Sequence, residues 1–200
     1  MHIQLHRFLP HTTAEGPGKR ACVWVQGCPI HCKGCGVPWT WNPKHGTPTT
    51  VDAIWEKIEN SIERYNIEGI TFLGGEPFEQ AESLAVLGQR AQKVGLSVMT
   101  FSGFYKEELE AMEKPFWREL YEVTDLFIDG PFEYDKLDKE RPWVGSTNQR
   151  FHFLTDRYKH LQNKLTTIPD KLEIYINENG MIEANGMVPS DVWKRLFNDL

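Results

Sequence analysis

Ala21-Cys22-Val23-Trp24-Val25-Gln26-Gly27-Cys28-Pro29-Ile30-His31-Cys32-Lys33-Gly34-Cys35 is the stretch on which the reading of this 200-residue chain turns. Its first five residues are apolar and strand-forming. Gly27 then breaks the run, and three thiols follow, separated by three and then by two residues. The opening, Met1 to Phe8, lacks the long apolar core of a secretory leader, and no stretch approaches the ~18 apolar residues of a membrane span. A cytoplasmic chain is expected, and there four cysteines are not disulfide partners; crowded thiols point instead to metal or redox chemistry. A formal charge of -6 offers no basic footprint for nucleic acid and would be repelled by an anionic membrane. Hydrophobic residues at 40% and charged residues at 25% are ordinary for a globular protein, and residues 1–200 are expected to form one domain.

Outward from Ala21-Val25, further strand-like runs occur at Ile70-Leu73, Leu96-Phe101, Leu126-Ile128, Phe151-Leu154 and Leu172-Ile176. Helical patterns lie between most of them. Ile54, Ile58 and Ile62 follow a capping signal at Thr49 to Asp52, and further helices are expected over Ala81 to Val94 and Glu107 to Val123. Alternation of this kind predicts an α/β fold of parallel strands with helical crossovers. A closed eight-unit barrel needs about 250 residues, so five or six units make an incomplete (β/α)6-type partial TIM barrel, open on one side. The thiol loop, 27–46, is then an insertion after strand 1. It shares the C-terminal ends of the strands with Gly74-Gly75-Glu76-Pro77, Ser102-Gly103 and Asp129-Gly130, where chemistry collects in such folds. Asn148, Gln149 and Arg150 precede a strand, so the same rule gives them no place. Residues 170–200 read as a hairpin, with a turn at Asn179-Gly180, followed by a closing helix over Pro189 to Leu200. Gly16 to Lys19 lacks phosphate-loop spacing and reads as a turn.

Three cysteines this close can wrap three corners of a 4Fe-4S cubane. The fourth iron is then without a protein ligand and open to a substrate or cofactor. Cys22, within an apolar strand, reads as a small buried hydrophobe. Two alternatives stay open on the residues alone: Cys22 as a fourth ligand closing the site, and a zinc module, although zinc's usual paired Cys-x-x-Cys occurs here only once.

Cys-x-x-x-Cys-x-x-Cys after a first strand and Gly-Gly-Glu-Pro after a second, in that order, resemble the radical S-adenosylmethionine superfamily. The resemblance implies that Cys28, Cys32 and Cys35 hold the cluster and that S-adenosylmethionine chelates the open iron. It implies reductive cleavage to a 5'-deoxyadenosyl radical, with Gly74, Gly75, Glu76 and Pro77 lining the methionine moiety.

More of the chain, from about Glu15 to Arg150, resembles one branch of that superfamily, the activating enzymes of glycyl-radical proteins, and within it the activases of anaerobic ribonucleotide reductase. The similarity is carried by Glu15-Gly16-Pro17-Gly18-Lys19-Arg20, by Gly34 ahead of the third cysteine, by Leu126 to Phe132 and by Gly145-Ser146-Thr147-Asn148-Gln149-Arg150. Val37 departs from it, standing where the branch has an asparagine. The branch implies a glycyl-radical enzyme as partner, a one-electron donor such as flavodoxin or ferredoxin, and anaerobic operation. Position by position it assigns Thr100, Ser102 and Asp129 to the nucleoside part of S-adenosylmethionine. His31 is expected to face solvent, and Trp39 and Trp41 to pack the loop. Two other functions stay open: a stand-alone radical enzyme acting on a peptide or small molecule, and a non-enzymatic iron-sulfur carrier.

Overall fold

In the computed structural model the described residues are 1–176, 180 and 182–186. The first element is one the sequence reading passes over. His2–Thr12 forms β1, which pairs antiparallel with β2, Arg20–Val25. Ile3, Leu5 and Leu9 of β1 are buried, and the register shifts between Leu5 and Arg7 and again between Leu9 and Thr12, where Pro10 cannot donate to a ladder. The thiol loop therefore follows the second strand of the chain, which is the first of the parallel set.

β3, Thr47–Thr50, is a short edge strand beside β1. α1 follows at Val51–Tyr65, with the Thr50 side chain accepting from Ala53 N at 3.1 Å and Asn66 ending it in the left-handed region. β4 (Gly69–Gly74), α2 (Ala81–Lys93) and β5 (Ser97–Phe101) come next. The helix expected over Glu107 to Val123 is two, α3 at Lys106–Ala111 and α4 at Trp117–Glu122. Pro115 supplies no N–H and restricts the residue before it, and Glu113 and Phe116 take positive φ in the break. β6, Leu126–Asp129, and β7, Arg150–Phe153, complete a seven-stranded sheet of order β3-β1-β2-β4-β5-β6-β7.

Among the described strands, only β2, β4, β5 and β6 run parallel. β7 lies antiparallel to β6, because 130–149 crosses between them without a helix long enough to carry the chain back to the other end of the sheet. The described residues thus form a mixed α/β sheet with four parallel strands, in place of six βα units. β8 (Leu172–Ile176) and β9 (Ile182–Gly186) form the expected hairpin as a separate two-stranded sheet. The turn residue Asn179 and the closing helix expected over Pro189 to Leu200 lie outside the described residues.

The helices pack on one face, where Val23, Val25, Phe72, Val98 and Phe127 alternate out of the strands to meet Ile54, Ile58, Leu84, Leu87, Leu109 and Leu120. The other face carries Leu9, Cys22, Leu73, Met99, Leu126 and Ile128. Arg20 is fully buried among hydrogen-bond acceptors: Nε donates to Thr71 Oγ1 at 2.7 Å and Nη1 to Ser97 Oγ and Tyr158 OH at 2.9 Å each. The hairpin docks by its polar side, with Glu173 accepting from the Thr12 and Thr13 hydroxyls and Asn185 accepting from Arg7.

Candidate functional site

The thiol loop is held by its stem. Gln26 N donates to Gln4 O at 2.7 Å, Gly27 N to Thr40 O at 2.7 Å and Cys28 N to Trp41 O at 3.0 Å, while Gln26 Nε2 reaches Trp39 O and Asn42 O. Gln80 at the start of α2 receives Gln4 N at 2.7 Å and donates to Gln26 O at 3.0 Å, joining β1, the loop and α2. Nothing in the sequence singles out Gln80.

The loop then meets the turn after β4. Gly75 N donates to Val25 O and Glu76 N to Gly27 O, each at 2.8 Å. A Cβ on Gly75 would lie 2.3 Å from the Gly27 carbonyl oxygen, and one on Gly74, at φ +107, 2.7 Å from Val25 O. Gly75 is therefore required by the approach of the thiol loop itself, and Gly74 by the end of β2 beside it.

Glu76 is the buried carboxyl at the centre of the arrangement, with no exposed surface. Its Oε1 accepts from Phe78 N and Ser102 Oγ at 3.0 Å each, and Oε2 accepts from Gly103 N at 2.8 Å. Burial pushes its carboxyl up to about 7, against these three donors. Ser102, 4% exposed, also accepts from Phe104 N at 3.0 Å, so it fixes both the carboxylate and the turn after β5. A Cβ on Gly103 would meet Ile30 Cδ1 at 2.5 Å, so the loop presses directly on this turn.

Cys28, Cys32 and Cys35 are partly exposed free thiols on one loop. Cys35 N donates to Cys32 O at 3.1 Å, and Val37 N donates to Cys35 Sγ at 3.4 Å. Burial pushes the Cys28 and Cys32 thiols up. Gly34 takes φ +78, and a Cβ there would lie 2.8 Å from the Tyr134 ring. Among the described residues no three His, Cys, Asp or Glu side chains lie close enough to share a single ion. A cubane does not need that, since each thiolate takes its own iron. Cys22 is fully buried in β2, packed with Leu9 and Leu73.

The side chains of two of the expected nucleoside residues are engaged by protein partners. Strand alternation puts Thr100 on the helix face with Val98, where its hydroxyl pairs with Thr124 Oγ1 at 2.8 Å. Asp129 lies on the same face as Phe127, and its carboxylate is taken up by protein: Arg150 Nε at 2.8 Å, Arg150 Nη2 at 2.5 Å and Lys106 N at 2.8 Å. Its pKa is lowered to about 2 by the Arg150 and His152 hydrogen bonds, which outweigh burial.

The antiparallel course of β7 gives Asn148, Gln149 and Arg150 their place, because the start of β7 lies beside the C-terminal end of β6, with Asp129 opposite Arg150. Arg150 sits 4.8 Å above the Tyr105 ring and also pairs with Glu107. Asn148 Nδ2 donates to Pro131 O at 2.7 Å, and Gln149 Oε1 accepts from Gly145 N at 2.8 Å. His31 is exposed, as expected, and stacks on Trp41. Trp39 is exposed instead of packing the loop.

The 4Fe-4S single cluster domain family matches residues 14–152. The anaerobic ribonucleoside-triphosphate reductase-activating protein of Escherichia coli (strain K12) is 30% identical over 158 residues, which are 76% of this chain and 99% of that protein. Its counterpart in Enterobacteria phage T4 is 30% identical over 159 residues, 77% of this chain and 97% of that protein. Among solved structures, QueE from Escherichia coli is similar at 19% identity and a TM-score of 0.43, over 52% of this chain and 53% of that one. β8 and β9 fall beyond the matched residues. By the extent of the domain match and by the identity to the activating proteins, the chain belongs to the 4Fe-4S single cluster domain family.

Proposed function

We propose that this chain is a radical S-adenosylmethionine enzyme that generates a glycyl radical on a partner, an anaerobic ribonucleotide reductase. The observation that carries the reading is the junction of the thiol loop with a buried carboxyl: Glu76 N is bonded to Gly27 O at 2.8 Å, one residue before Cys28, and the Glu76 side chain has no paired cation among the described residues. Family membership supports the cluster, and the named activity of the relatives supports the partner.

Cys28, Cys32 and Cys35 would hold the 4Fe-4S cluster, and the Val37 N–H bonds the Cys35 sulfur. Glu76 receives the ammonium of S-adenosylmethionine. Three donors hold it in place, and a cation arriving there replaces the hydration that burial has removed. Ser102 and Gly103 orient that carboxylate, and Pro77 with Gly74 and Gly75 shapes the turn that presents it. When bound, the cluster supplies one electron to cleave S-adenosylmethionine into methionine and a 5'-deoxyadenosyl radical, which takes an α-hydrogen from the partner's glycine. Phe132 and Tyr134 lie against Gly34 and Ile30 against Gly103, and proximity directs the radical to the C–H bond placed beside it.

The seven-stranded sheet is read as the wall of an incomplete barrel within one domain, its open side admitting the partner's loop. The chain works in an anaerobic cytoplasm with a flavodoxin- or ferredoxin-type donor. Anaerobic reconstitution tests the reading. Iron and sulfide are expected near four each per chain, the EPR signal of the reduced cluster should change when S-adenosylmethionine is added, and a glycyl doublet should appear with the reductase. An unperturbed signal sinks the open-iron assignment, and persistent silence with every glycyl-radical partner favours a stand-alone radical enzyme.

A further inference from the structure

One side of the thiol loop takes no part in the arrangement around Glu76. Ile30 and Gly34 turn toward Gly103, Phe132 and Tyr134. His31 stacks on Trp41 with ring centroids 4.6 Å apart. With Trp39, Pro43 and His45, these two rings line an open hollow of about 470 Å³. Trp39 leaves 58% of its surface in solvent, and the buried Trp41 Nε1 has no hydrogen-bond partner among the described residues. An exposed indole beside a hollow is apolar area that a partner can cover.

The charge pattern narrows the partner. The chain carries 28 acidic residues against 22 basic, yet no Asp or Glu occurs between Glu15 and Asp52. Lys33 and Lys44 are exposed on that run, with His31 and His45 beside them. The loop is thus the locally positive face of an acidic protein, and two exposed lysines are too few to track a phosphate backbone. Aromatic area flanked by cations suits an acidic protein that presents the apolar edge of a redox cofactor, steered in by charge and held by ring contact.

We infer that the face centred on Trp39 and Lys44 docks the acidic one-electron donor, an inference that rests on the functional reading above. The donor's reduced flavin loses one electron there and the centre held by the thiol loop gains it, with no atom transferred. His31, next to Cys32 in the chain, has its ring on the wall of the hollow, so a cofactor edge seated there contacts the immediate chain neighbour of a thiol.

The test uses an acidic, FMN-carrying flavodoxin as probe. Its ¹⁵N-labelled oxidised form is titrated with the cluster-loaded protein, and reduction by photoreduced flavodoxin is timed against reduction by dithionite. Lys44→Glu is expected to weaken binding about tenfold at low salt, a difference that closes by roughly 0.5 M salt as charges are screened. Trp39→Ala is expected to weaken binding at both salt levels, and dithionite is expected to reduce wild type and both variants alike. Flavodoxin that binds both variants as it binds wild type, or that fails to bind wild type, overturns the docking face. Should the dithionite-reduced wild type leave S-adenosylmethionine intact, the enzymatic reading fails instead, and the titration still decides the docking.

Discussion

Gly75→Ala isolates the contact on which the site depends. Gly75 does not take a left-handed φ, so alanine is conformationally permitted there and only space is at stake. The added methyl would sit 2.3 Å from Gly27 O and 2.8 Å from Gly27 C, both backbone atoms that cannot rotate away. Relief requires the thiol loop to move off the β4 turn, lengthening the 2.8 Å bonds from Gly75 N to Val25 O and from Glu76 N to Gly27 O. Overpacking costs about 1–3 kcal/mol, and each weakened hydrogen bond adds about 0.5–1.5 kcal/mol. A loss of about 2–6 kcal/mol follows, which at a urea slope of about 2 kcal/mol per molar lowers the unfolding midpoint by roughly 1–3 M. Gly36→Ala is the control, because nothing lies within 4 Å of its added methyl, and its expected change is within about 0.5 kcal/mol. Equilibrium urea unfolding, followed by fluorescence, measures both. If the two variants unfold at the same urea concentration, the glycine is not holding the loop stem and the argument for this junction is wrong.

Other outcomes follow from the same geometry. Cys32→Ala should fold yet lose S-adenosylmethionine cleavage, whereas Cys22→Ala, which trims a buried strand residue, should keep its full iron and sulfide count; cluster loss in Cys22→Ala would close the fourth iron and defeat the open site. Glu76 holds its proton more tightly folded (about 7) than unfolded (4.5), so stability falls as pH rises between those values, by about 3 kcal/mol. Glu76→Gln should remove that share of the decline in unfolding midpoint between pH 4.5 and 7, leaving the share due to Glu15, which burial also pushes up to about 7. Asp129 has the opposite sign. Its carboxyl falls from 3.8 to about 2, so it contributes about 2 kcal/mol above pH 3.8, lost as pH falls through 2. Asp129→Asn should therefore be less stable than wild type at pH 7 and converge with it in acid, while binding of S-adenosylmethionine by the reconstituted protein is unchanged.

Much of the site was legible from residue type and spacing alone. Three thiols at fixed separations announce metal chemistry before any fold is known, and Gly-Gly-Glu-Pro after a strand marks a turn where backbone must come close to something. Strand runs at Val23, Phe72, Val98 and Phe127 were readable because burial against helices leaves a continuous apolar signal. β1 was harder to see, since Arg7 and Pro10 interrupt its alternation and its register slips twice. Pro115 was in plain view, but where the helix breaks depends on how α3 and α4 pack.

Which way a polar residue points was decided by the tertiary structure. Thr100, Ser102 and Asp129 all lie at strand ends in the sequence, yet a strand sends successive side chains to opposite faces, and pairing with Phe72 and Phe127 turns Thr100 to the helices. Asp129 became a structural ion-pair residue because β7 returns antiparallel and delivers Arg150 beside it, a contact across 21 positions that no local pattern encodes. The raised carboxyl of Glu76 is likewise a property of the fold: sequence supplies the side chain, and packing removes the water around it without, among the described residues, supplying a cation.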